Sequence, residues 1–337
     1  MRVTRADVAK LAGVSTATVS YVLNGSRHMS EKTRKLVLDA VDQLKYKPDM
    51  IARSMTKNET MQLSFMVENA ANPFYGEIIN GFENAAVEHG YFVNICTGNK
   101  NINDYFDNYI ARRVDGVFIA AIPYKFDMEK LYSLTENGIR VVVSGNTDVD
   151  LKRVSSIEND YVAAMQTAVG HLYELGHRDI AYLSGLSRKF RFDHRADGYL
   201  SAVEHFELPC GDDLLIDGQP PYRTDINSGH AMAKTLLRSG RRFTALICTN
   251  DLMAMGAISA LKESGLRVPD DVSVIGFDDI IFSQAWRPAV TTMGGAKAAF
   301  GRKAFELLYT NIQRGTTGYH LNQLSLVRRA STAPPPR

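Results

Sequence analysis

A set of polar and aromatic side chains follows the short apolar runs of residues 58–337, where a small molecule could be held. The set comprises Asn72, Phe74, Tyr75, Asn146, Arg195, Asn250, Asp251, Asp278 and Asp279. A sugar needs donors and acceptors for its hydroxyls and an aromatic face for its ring, and this set offers both. Structural roles are the alternative, because Asp251 and Asp279 could cap the helices that follow them and Phe74 could belong to the core. The residue types therefore predict a binding site for a small, sugar-like molecule.

Catalytic and metal sites find little support in the same sequence. Asp279, Ser283 and His320 lack the spacing of a catalytic triad, and residues 185–198 lack the glycine spacing and the Gly-Lys-Ser/Thr end of a phosphate loop. The eight histidines form no HxxxH pair, and three scattered cysteines make neither a disulfide framework nor a CxxC site. We expect no metal, no cofactor and no catalysis, with a sugar-processing enzyme that uses two carboxylates as the remaining alternative.

The pattern after Thr60 supplies the strands and helices that would position these side chains. Apolar strands are predicted at 62–68, 91–96, 116–121, 140–144, 179–184, 244–248 and 272–277. Helical periods lie between them at 75–89, 160–175, 250–263 and 295–313. This alternation predicts parallel sheets covered by helices, and two series of strands predict two α/β subdomains. Ligands bind beyond the carboxyl ends of such strands, which places the polar set in the cleft between the subdomains.

The first 57 residues differ in charge from the remainder. They carry 11 Lys and Arg against 5 Asp and Glu, a net charge of +6, whereas the other residues together carry −4. A small basic segment attached to a larger acidic body indicates an anionic partner for the segment. A basic surface without a partner would give the same charge balance.

Three short helices are predicted in this basic segment. Capping side chains begin them at Thr4, Ser15 and Ser30, and Gly13 ends the first with a tight turn. Two short helices joined by such a turn form a helix-turn-helix. The outer face of the second helix, predicted over 16–23, is small and mostly polar: Thr16, Ala17, Thr18, Ser20 and Tyr21. Small residues allow close approach to the major groove, so the pattern favours DNA binding over a plain helical bundle.

Composition favours a globular protein outside membranes. The chain is 45% hydrophobic and 23% charged over 337 residues, enough for two or three domains. No apolar run approaches the roughly 18–20 residues of a membrane span. The first residues, MRVTRADVAK, contain no apolar signal-peptide core. We therefore expect a cytoplasmic protein with reduced cysteines and no membrane partner.

Several segments, in colinear order, resemble the lac repressor/galactose repressor family of bacterial transcription regulators. They are VTRADVAKLAGVSTATVSYVLNG, YKPDMIARSM, NPFYGEIINGFENAA, RRVDGVFI, HLYELGH, ICTNDLMAMGAISALKESGLRVPDDVSVIGFDD and LVRRAST. The resemblance covers essentially the whole chain and is more specific than any single motif. It implies an N-terminal all-α helix-turn-helix head with a hinge helix, and an α/β body of two parallel-sheet subdomains like the periplasmic sugar-binding proteins.

The resemblance also implies that a homodimer binds a pseudo-palindromic operator in double-stranded DNA. Two hinge helices would enter the minor groove, with Met55 at the place of the family's usual leucine wedge. Tyr21 stands where the family often has Arg or His, so a different reading of the outer operator bases is expected. The expected DNA-binding residues are Thr4, Ser15, Thr16, Ala17, Thr18, Ser20, Tyr21, Asn24, Ser30, Thr33, Tyr46 and Met55.

For the body, the resemblance implies an effector, bound between the subdomains, that controls DNA binding. It supports Arg195, Asn250 and Asp278 in the pocket and requires a lid aromatic, for which Tyr222 is selected. The expected effector residues are Asn72, Phe74, Tyr75, Asn146, Arg195, Tyr222, Asn250, Asp251 and Asp278. A neutral sugar is the favoured effector. The alternatives are a purine, a phosphorylated ligand near Lys189 and Arg191, a protein corepressor, or a sugar-binding protein without a DNA role.

The same resemblance implies the domain boundaries. The DNA-binding head would span 1–47, and the hinge helix and linker 48–60. The N-terminal effector subdomain would comprise 61–157 and 290–318, and the C-terminal one 158–289 and 319–337, with chain crossings near 156–159, 286–291 and 317–320. No leucine heptad follows LVRRAST, so a dimer is expected in place of the tetramer of the lac repressor itself.

Overall fold

The computed structural model divides into two compact units, a head at Met1–Met61 and a body at Gln62–Arg337. It describes residues 3–25, 27–47, 59–97, 102–120, 127–145, 148–187, 193–209 and 214–336. Met55, Asn146, Lys189 and Arg191 lie outside the described residues, as does almost all of the predicted hinge segment.

Three helices form the head, as the sequence predicts. They are α1 (Arg5–Ala12), α2 (Thr16–Asn24) and α3 (Glu31–Gln43). Thr4 makes the capping box of α1, and the hydroxyls of Ser15 and Ser30 accept hydrogen bonds from backbone amides in the first turns of α2 and α3. Gly13 ends α1 at φ 66°, a left-handed conformation that glycine adopts without steric cost. The predicted caps and turn are confirmed.

The head has a small apolar core of its own. Val8, Val19 and Val37 are fully buried, one from each helix. Tyr46 packs in the same core and is only 7% exposed. This place fits a packing role for Tyr46 better than the DNA contact that the sequence predicted, because side chains that contact DNA project from the surface.

The body alternates strands and helices. The strands are β1 (Gln62–Val67), β2 (Phe92–Thr97), β3 (Gly116–Ala120), β4 (Arg140–Ser144), β5 (Ser155–Asn159), β6 (Ile180–Leu183), β7 (Leu215–Ile216), β8 (Ala245–Cys248), β9 (Ser273–Phe277), β10 (Thr291–Gly294), β11 (Tyr319–Asn322) and β12 (Ser325–Val327). The helices are α4 (Phe74–Glu88), α5 (Ile102–Arg112), α6 (Met128–Glu136), α7 (Tyr161–Glu174), α8 (His194–His205), α9 (Ile226–Arg238), α10 (Asp251–Glu263), α11 (Ile281–Ala285) and α12 (Lys297–Arg314).

These strands form two six-stranded sheets, so the predicted pair of α/β subdomains is confirmed. The first sheet has the order β11-β5-β4-β3-β1-β2, with every pair parallel. The second has the order β12-β10-β9-β8-β6-β7, parallel except where β12 meets β10. Apolar clusters lie between the sheets and their helices, as expected for parallel strands buried on both faces. Among the described residues, no helix is long and apolar enough to span a membrane.

The two later chain crossings lie several residues after their predicted places. β10 belongs to the second sheet and β11 to the first, so the chain crosses at 295–296 and again at 323–324. The predicted boundaries at 290 and 318 therefore fall just before β10 and β11. These strands are only four residues long and begin with polar pairs or aromatic–polar pairs, so no apolar run marks them.

Glycines let helices cross closely on both subdomains. A Cβ atom on Gly301 of α12 would lie 2.0 Å from the backbone oxygen of Ile78 in α4. A Cβ atom on Gly256 of α10 would lie 1.9 Å from the backbone oxygen of Ile226 in α9. Any side chain at these positions would force the helices apart.

A buried histidine fastens the C-terminal segment to the second sheet. His177 is 1% exposed, and its Nε2 atom lies 2.8 Å from the backbone oxygen of Ala333 and 3.1 Å from Oγ of Ser273. Its Nδ1 atom lies 2.9 Å from Oγ1 of Thr244. Burial lowers the pKa of His177, an effect only partly opposed by the Ala333 carbonyl. The folded state therefore favours the neutral ring.

This histidine predicts a loss of stability in acid. The unfolded chain binds a proton at His177 below the ordinary pKa near 6.5, whereas the folded chain resists it, so the free energy of unfolding falls as the pH drops below about 6.5. Urea unfolding at pH 8.0, 6.5 and 5.0 measures this fall. We expect His177→Gln to lower stability at pH 8.0 by about 1–3 kcal/mol and to make the pH dependence shallower.

The exposed His205 provides the control for this experiment. His205→Gln should leave both the stability at pH 8.0 and the pH dependence close to wild type. An equal acid dependence in His177→Gln and wild type would show that another group is responsible.

Candidate functional site

A cavity of about 800 Å³, its open mouth included, lies where the carboxyl ends of strands from both sheets meet. Its lining residues are Glu68, Asn72, Phe74, Tyr75, Ile78, Ala120, Ser144, Gly145, Asn159, Tyr161, Leu186, Arg195, Thr224, Thr249, Asn250, Asp278 and Phe300. Residues from both subdomains contribute, so the cavity occupies the cleft in which ligands of open parallel sheets bind.

Six of the side chains predicted to bind an effector are brought together in this wall. They are Asn72, Phe74, Tyr75, Arg195, Asn250 and Asp278. Tyr222 is not part of the lining, and Thr224 supplies that stretch of the wall instead. Asn250 also caps α10, since its Oδ1 atom accepts a hydrogen bond from Met253 N and its Nδ2 atom donates to the Thr224 carbonyl.

Asp251, predicted as an effector ligand, has a structural role. It is fully buried and does not line the cavity. Its carboxylate accepts hydrogen bonds from Ile280 N at 2.9 Å and from Oγ1 of Thr292 at 2.6 Å. Burial and the neighbouring carboxylates hold the pKa of Asp251 above its ordinary value. Asp251 thus braces the turn after β9, and Asp278, on that turn, faces the cavity.

Sequence reasoning missed several wall residues, above all Tyr161 and Phe300. Tyr161 begins α7 just after β5, whose sequence SSIEN carries no apolar run and was not recognised as a strand. Phe300 lies on α12, which the sequence assigned only as a covering helix. Both could have been found by asking which residues follow every strand of the sheets, including the polar ones.

Arg195 is the principal cation of the described wall. Its guanidinium carbon lies 3.6 Å from the ring centroid of Tyr161 and 5.7 Å from that of Phe277. The side chain is 13% exposed, and its Nη2 atom lies 3.9 Å from Oδ1 of Asp278. The buried Nε atom has no hydrogen-bond partner. A guanidinium held by ring stacking, with an N–H group unused, is prepared to donate to a ligand oxygen or ring nitrogen.

The helix that carries Arg195 is fixed at its first turn. Asp193 caps α8 by accepting a hydrogen bond from Ala196 N, and its Oδ2 atom accepts a second one from Oγ of Ser184 at 2.6 Å. Ser184 directly follows β6, so the sheet and the helix meet at this carboxylate. This contact places Arg195 at the end of the strand, where the cavity opens.

Asp278 is the acid of the second sheet that faces the cavity. Its side chain is 8% exposed, and burial raises its pKa to about 6 against the lowering influence of Arg195 and Lys297. Asp278 and Asp279 both adopt positive φ, at 100° and 51°. Such backbone costs about 1 kcal/mol or more for a residue other than glycine and persists only where the surroundings hold it. Backbone strain of this kind is concentrated at binding sites.

Aromatic rings dominate the opposite side of the cavity. Phe74 and Tyr75 pack edge to face with centroids 5.3 Å apart, at the start of α4. Asn72 sets that start, since its Oδ1 atom accepts a hydrogen bond from Phe74 N at 3.1 Å. Burial raises the pKa of Tyr75, so its hydroxyl stays protonated and able to donate. Together with Tyr161 and Phe300, these residues give the cavity wall four aromatic rings.

The head presents its predicted recognition helix to solvent. Thr16, Ala17, Tyr21 and Asn24 are exposed on α2, and Thr18 and Ser20 are partly exposed. The first turn of α2 contains no acidic residue, so its free amides can meet a phosphate. The guanidinium of Arg27 lies 5.7 Å from the Tyr21 ring, which adds a positive charge to this face. Within the described ranges, no three His, Cys, Asp or Glu side chains lie close enough to hold a metal.

Two family models match the chain. The model of bacterial regulatory proteins of the lacI family matches residues 4–49, which covers the described helices of the head. The model of periplasmic binding proteins and the sugar binding domain of the LacI family matches residues 60–325, which covers the two sheets and the cleft.

Similar proteins of known name or structure span the same length. Repressors named PurR from Actinobacillus pleuropneumoniae and Vibrio parahaemolyticus are 36% and 34% identical, covering 93% and 91% of this chain and 92% and 91% of their own. The lac repressor dimer bound to operator and an anti-inducer has a TM-score of 0.85 at 27% identity, covering 99% of this chain and 100% of that one. A complex of the regulator CelR with cellobiose has a TM-score of 0.74 at 28% identity, covering 98% of this chain and all of that one.

The similarities cover almost the whole length of the chain. They agree with the capped helix-turn-helix and with the two parallel sheets around the cleft. The expected resemblance is therefore confirmed. The chain belongs to the LacI family of bacterial regulatory proteins and is a DNA-binding transcriptional repressor with an effector-binding body.

Proposed function

We propose that this repressor is controlled by a planar heteroaromatic effector of the nucleobase class, bound in the cleft of the body. The sequence favoured a neutral sugar because it counted two acids from the second sheet and few aromatic rings. The cavity changes the count of rings, since Tyr161 and Phe300 join Phe74 and Tyr75 in the wall, while Glu68 takes the place of Asp251 as the second carboxylate. Only Glu68 and Asp278 supply carboxylates among the described lining residues.

The observation that carries this proposal is the presence of four aromatic rings beside Arg195 and Asp278 in the cavity wall. Four aromatic rings can enclose a flat ring system by stacking and edge contacts. Arg195 can donate to a ring nitrogen or an exocyclic oxygen, and Asp278 can accept from a ring N–H. The match between surfaces therefore favours a nucleobase.

The relatives support the proposal in part. The name PurR, borne by relatives with 34–36% identity, points to purines. A disaccharide complex is found in CelR at 28% identity, so a sugar is the second candidate. The titration proposed below separates the two classes.

We further propose that the head contacts the operator through the polar face of α2, with Met55 of the predicted hinge as minor-groove wedge. The residues placed in or beside the major groove are Ser15, Thr16, Ala17, Thr18, Ser20, Tyr21 and Asn24. Thr4, Ser30 and Thr33 stand at the starts of α1 and α3, where free amides and hydroxyls can hold phosphates. The regulator would act in the cytoplasm and without catalysis.

A homodimer is proposed as the unit that binds DNA. One nine-residue recognition helix buries little surface, and two-fold symmetry doubles the contacts with a pseudo-palindromic operator. The body offers apolar surface for such an interface. β2 is an edge strand whose Phe92 is 67% exposed, and Ile281 and Phe282 on α11 are 68% and 52% exposed. Exposed apolar side chains on an edge strand are typical of protein interfaces.

Ala17→Glu tests the DNA contact of α2. A carboxylate at the helix N-terminus favours the helix itself but meets the negative phosphates of DNA, so folding should survive while operator binding falls about tenfold or more. The operator is first selected from random duplexes with the wild type, and fluorescence anisotropy then measures affinity over a range of salt concentrations.

Leu38→Glu is the matched control, because Leu38 is exposed on α3 and adds the same charge to the head outside the predicted contact set. We expect it to bind operator near the wild-type affinity at physiological salt. Equal losses in the two variants would show a general charge effect, and undiminished binding by Ala17→Glu would remove α2 from the interface.

Calorimetric titration of the full chain with hypoxanthine, guanine, adenine, ribose and cellobiose tests the effector class. We expect at least one purine base to bind and both sugars to fail. Arg195→Ala should weaken purine binding by about 10–100-fold, because a hydrogen bond from a buried charged donor is lost. Operator binding without effector should remain unchanged, since the head is a separate unit.

Arg178 is the control for this variant, as an exposed arginine whose guanidinium lies 3.9 Å from the Tyr173 ring, away from the cavity. Arg178→Ala should bind the purine like the wild type. Binding of a sugar alone would overturn the nucleobase proposal, and full-strength purine binding by Arg195→Ala would remove Arg195 from the site.

A further inference from the structure

Lys297 joins the two subdomains beside the cavity. It is the first residue of α12, which packs on α4 and on the first sheet. The side chain is only 8% exposed, and its Nζ atom reaches the turn after β9 in the second sheet. Nζ lies 3.2 Å from the carbonyl oxygen of Asp278, 2.8 Å from that of Asp279 and 3.2 Å from Oε1 of Glu77 on α4.

The three N–H groups of this ammonium therefore have three partners, two from one subdomain and one from the other. The hydrogen bonds go to the backbone carbonyls of Asp278 and Asp279 rather than to their side chains. The carboxylate of Asp278 is left facing the cavity, with Arg195 as its nearest described cation at 3.9 Å. Lys297 thus holds the backbone of a wall residue without occupying the group that would meet a ligand.

The turn at 278–279 needs such support. Its two aspartates have positive φ, and the other contacts that hold it come from the second subdomain or the C-terminal segment. Asp278 N donates to Met293 O, Ile280 N donates to Asp251, and Arg329 donates to Asp279 Oδ1 at 2.5 Å. Among these described contacts, Lys297 alone ties the turn to the first subdomain.

We propose that Lys297 is a positioning residue that sets the Asp278 carboxylate for the effector and, through Glu77, carries the state of the cavity to α4. Helix α4 itself begins with Phe74 and Tyr75 on the cavity wall, so one helix meets both the ligand and the Lys297 contact. A ligand that draws Asp278 inward moves the carbonyls that Lys297 holds. The shift reaches Glu77 one turn along α4, in the subdomain next to the hinge in sequence.

This role of Lys297 rests on the proposed function, because it requires an effector in the cleft. It predicts separate effects on effector binding and on coupling, which a residue that only packs would not produce. Removing the ammonium should harm both effector binding and its coupling to the operator. Removing only the Glu77 charge leaves the two carbonyl contacts in place and should harm the coupling alone.

The experiment compares full-length wild type with Lys297→Met, Glu77→Gln and Lys303→Met. Lys303 lies on the same helix, pairs with Glu306 and does not line the cavity, which makes it the matched control. Calorimetry with hypoxanthine measures effector affinity. Operator anisotropy with and without hypoxanthine measures the coupling factor, and amide hydrogen exchange without ligand measures protection at 74–78 and 278–280.

We expect Lys297→Met to weaken hypoxanthine binding by about tenfold or more and to expose the amides at 278–280. Glu77→Gln should keep hypoxanthine affinity within about twofold, since Lys297 keeps its contacts with the two carbonyls, while its coupling factor falls toward 1. Lys303→Met should match the wild type in every measurement.

Wild-type protein that binds none of hypoxanthine, guanine and adenine overturns the nucleobase proposal alone, and the amide exchange of the apo variants then decides the role of Lys297. Exchange at 278–280 unchanged in Lys297→Met overturns the positioning role. A coupling factor unchanged in Glu77→Gln overturns the transmission through α4, and this variant answers that question even if Lys297→Met does not fold.

Discussion

The buried charge of Arg195 is the constraint on which the cleft depends. Its guanidinium is stacked on Tyr161, its nearest carboxylate oxygen is 3.9 Å away, and its Nε donor is unused. Leaving a buried donor of a charged group unsatisfied costs at least about 1–3 kcal/mol, which a ligand acceptor can recover. A ligand acceptor near Arg195 would therefore satisfy a donor that the protein itself leaves unpaired.

The strained turn at Asp278 connects the ligand site to both subdomains. Helix α10, strand β10 and helix α12 each contribute one group that fixes the turn, and these elements belong to both sides of the cleft. A ligand between Arg195 and Asp278 would contact a turn that is held by elements of both subdomains. Regulation requires such differential contact, because a ligand can shift an equilibrium only by its difference in affinity for the two states.

Local signals in the sequence predicted the head, the two parallel sheets and six of the seventeen residues of the cavity wall. Capping residues and the turn glycine act within a few residues, so Thr4, Gly13 and Ser15 could be interpreted directly. The role of Asp251 could not be predicted, because acids that follow two strands of one sheet look alike in the sequence. Only the tertiary contacts show that Asp251 braces a turn while Asp278 faces the cavity. Tyr161 was missed because its strand is polar, and Tyr222 was selected where Thr224 forms the wall.

The central claim is that a nucleobase in the cleft and DNA at the head are energetically coupled. Reciprocal titration tests it most directly: operator affinity measured with and without saturating purine, and purine affinity measured with and without operator. The account predicts the same factor in both directions, of the order of 5–150-fold. A purine that binds the body tightly yet leaves operator affinity unchanged would contradict it.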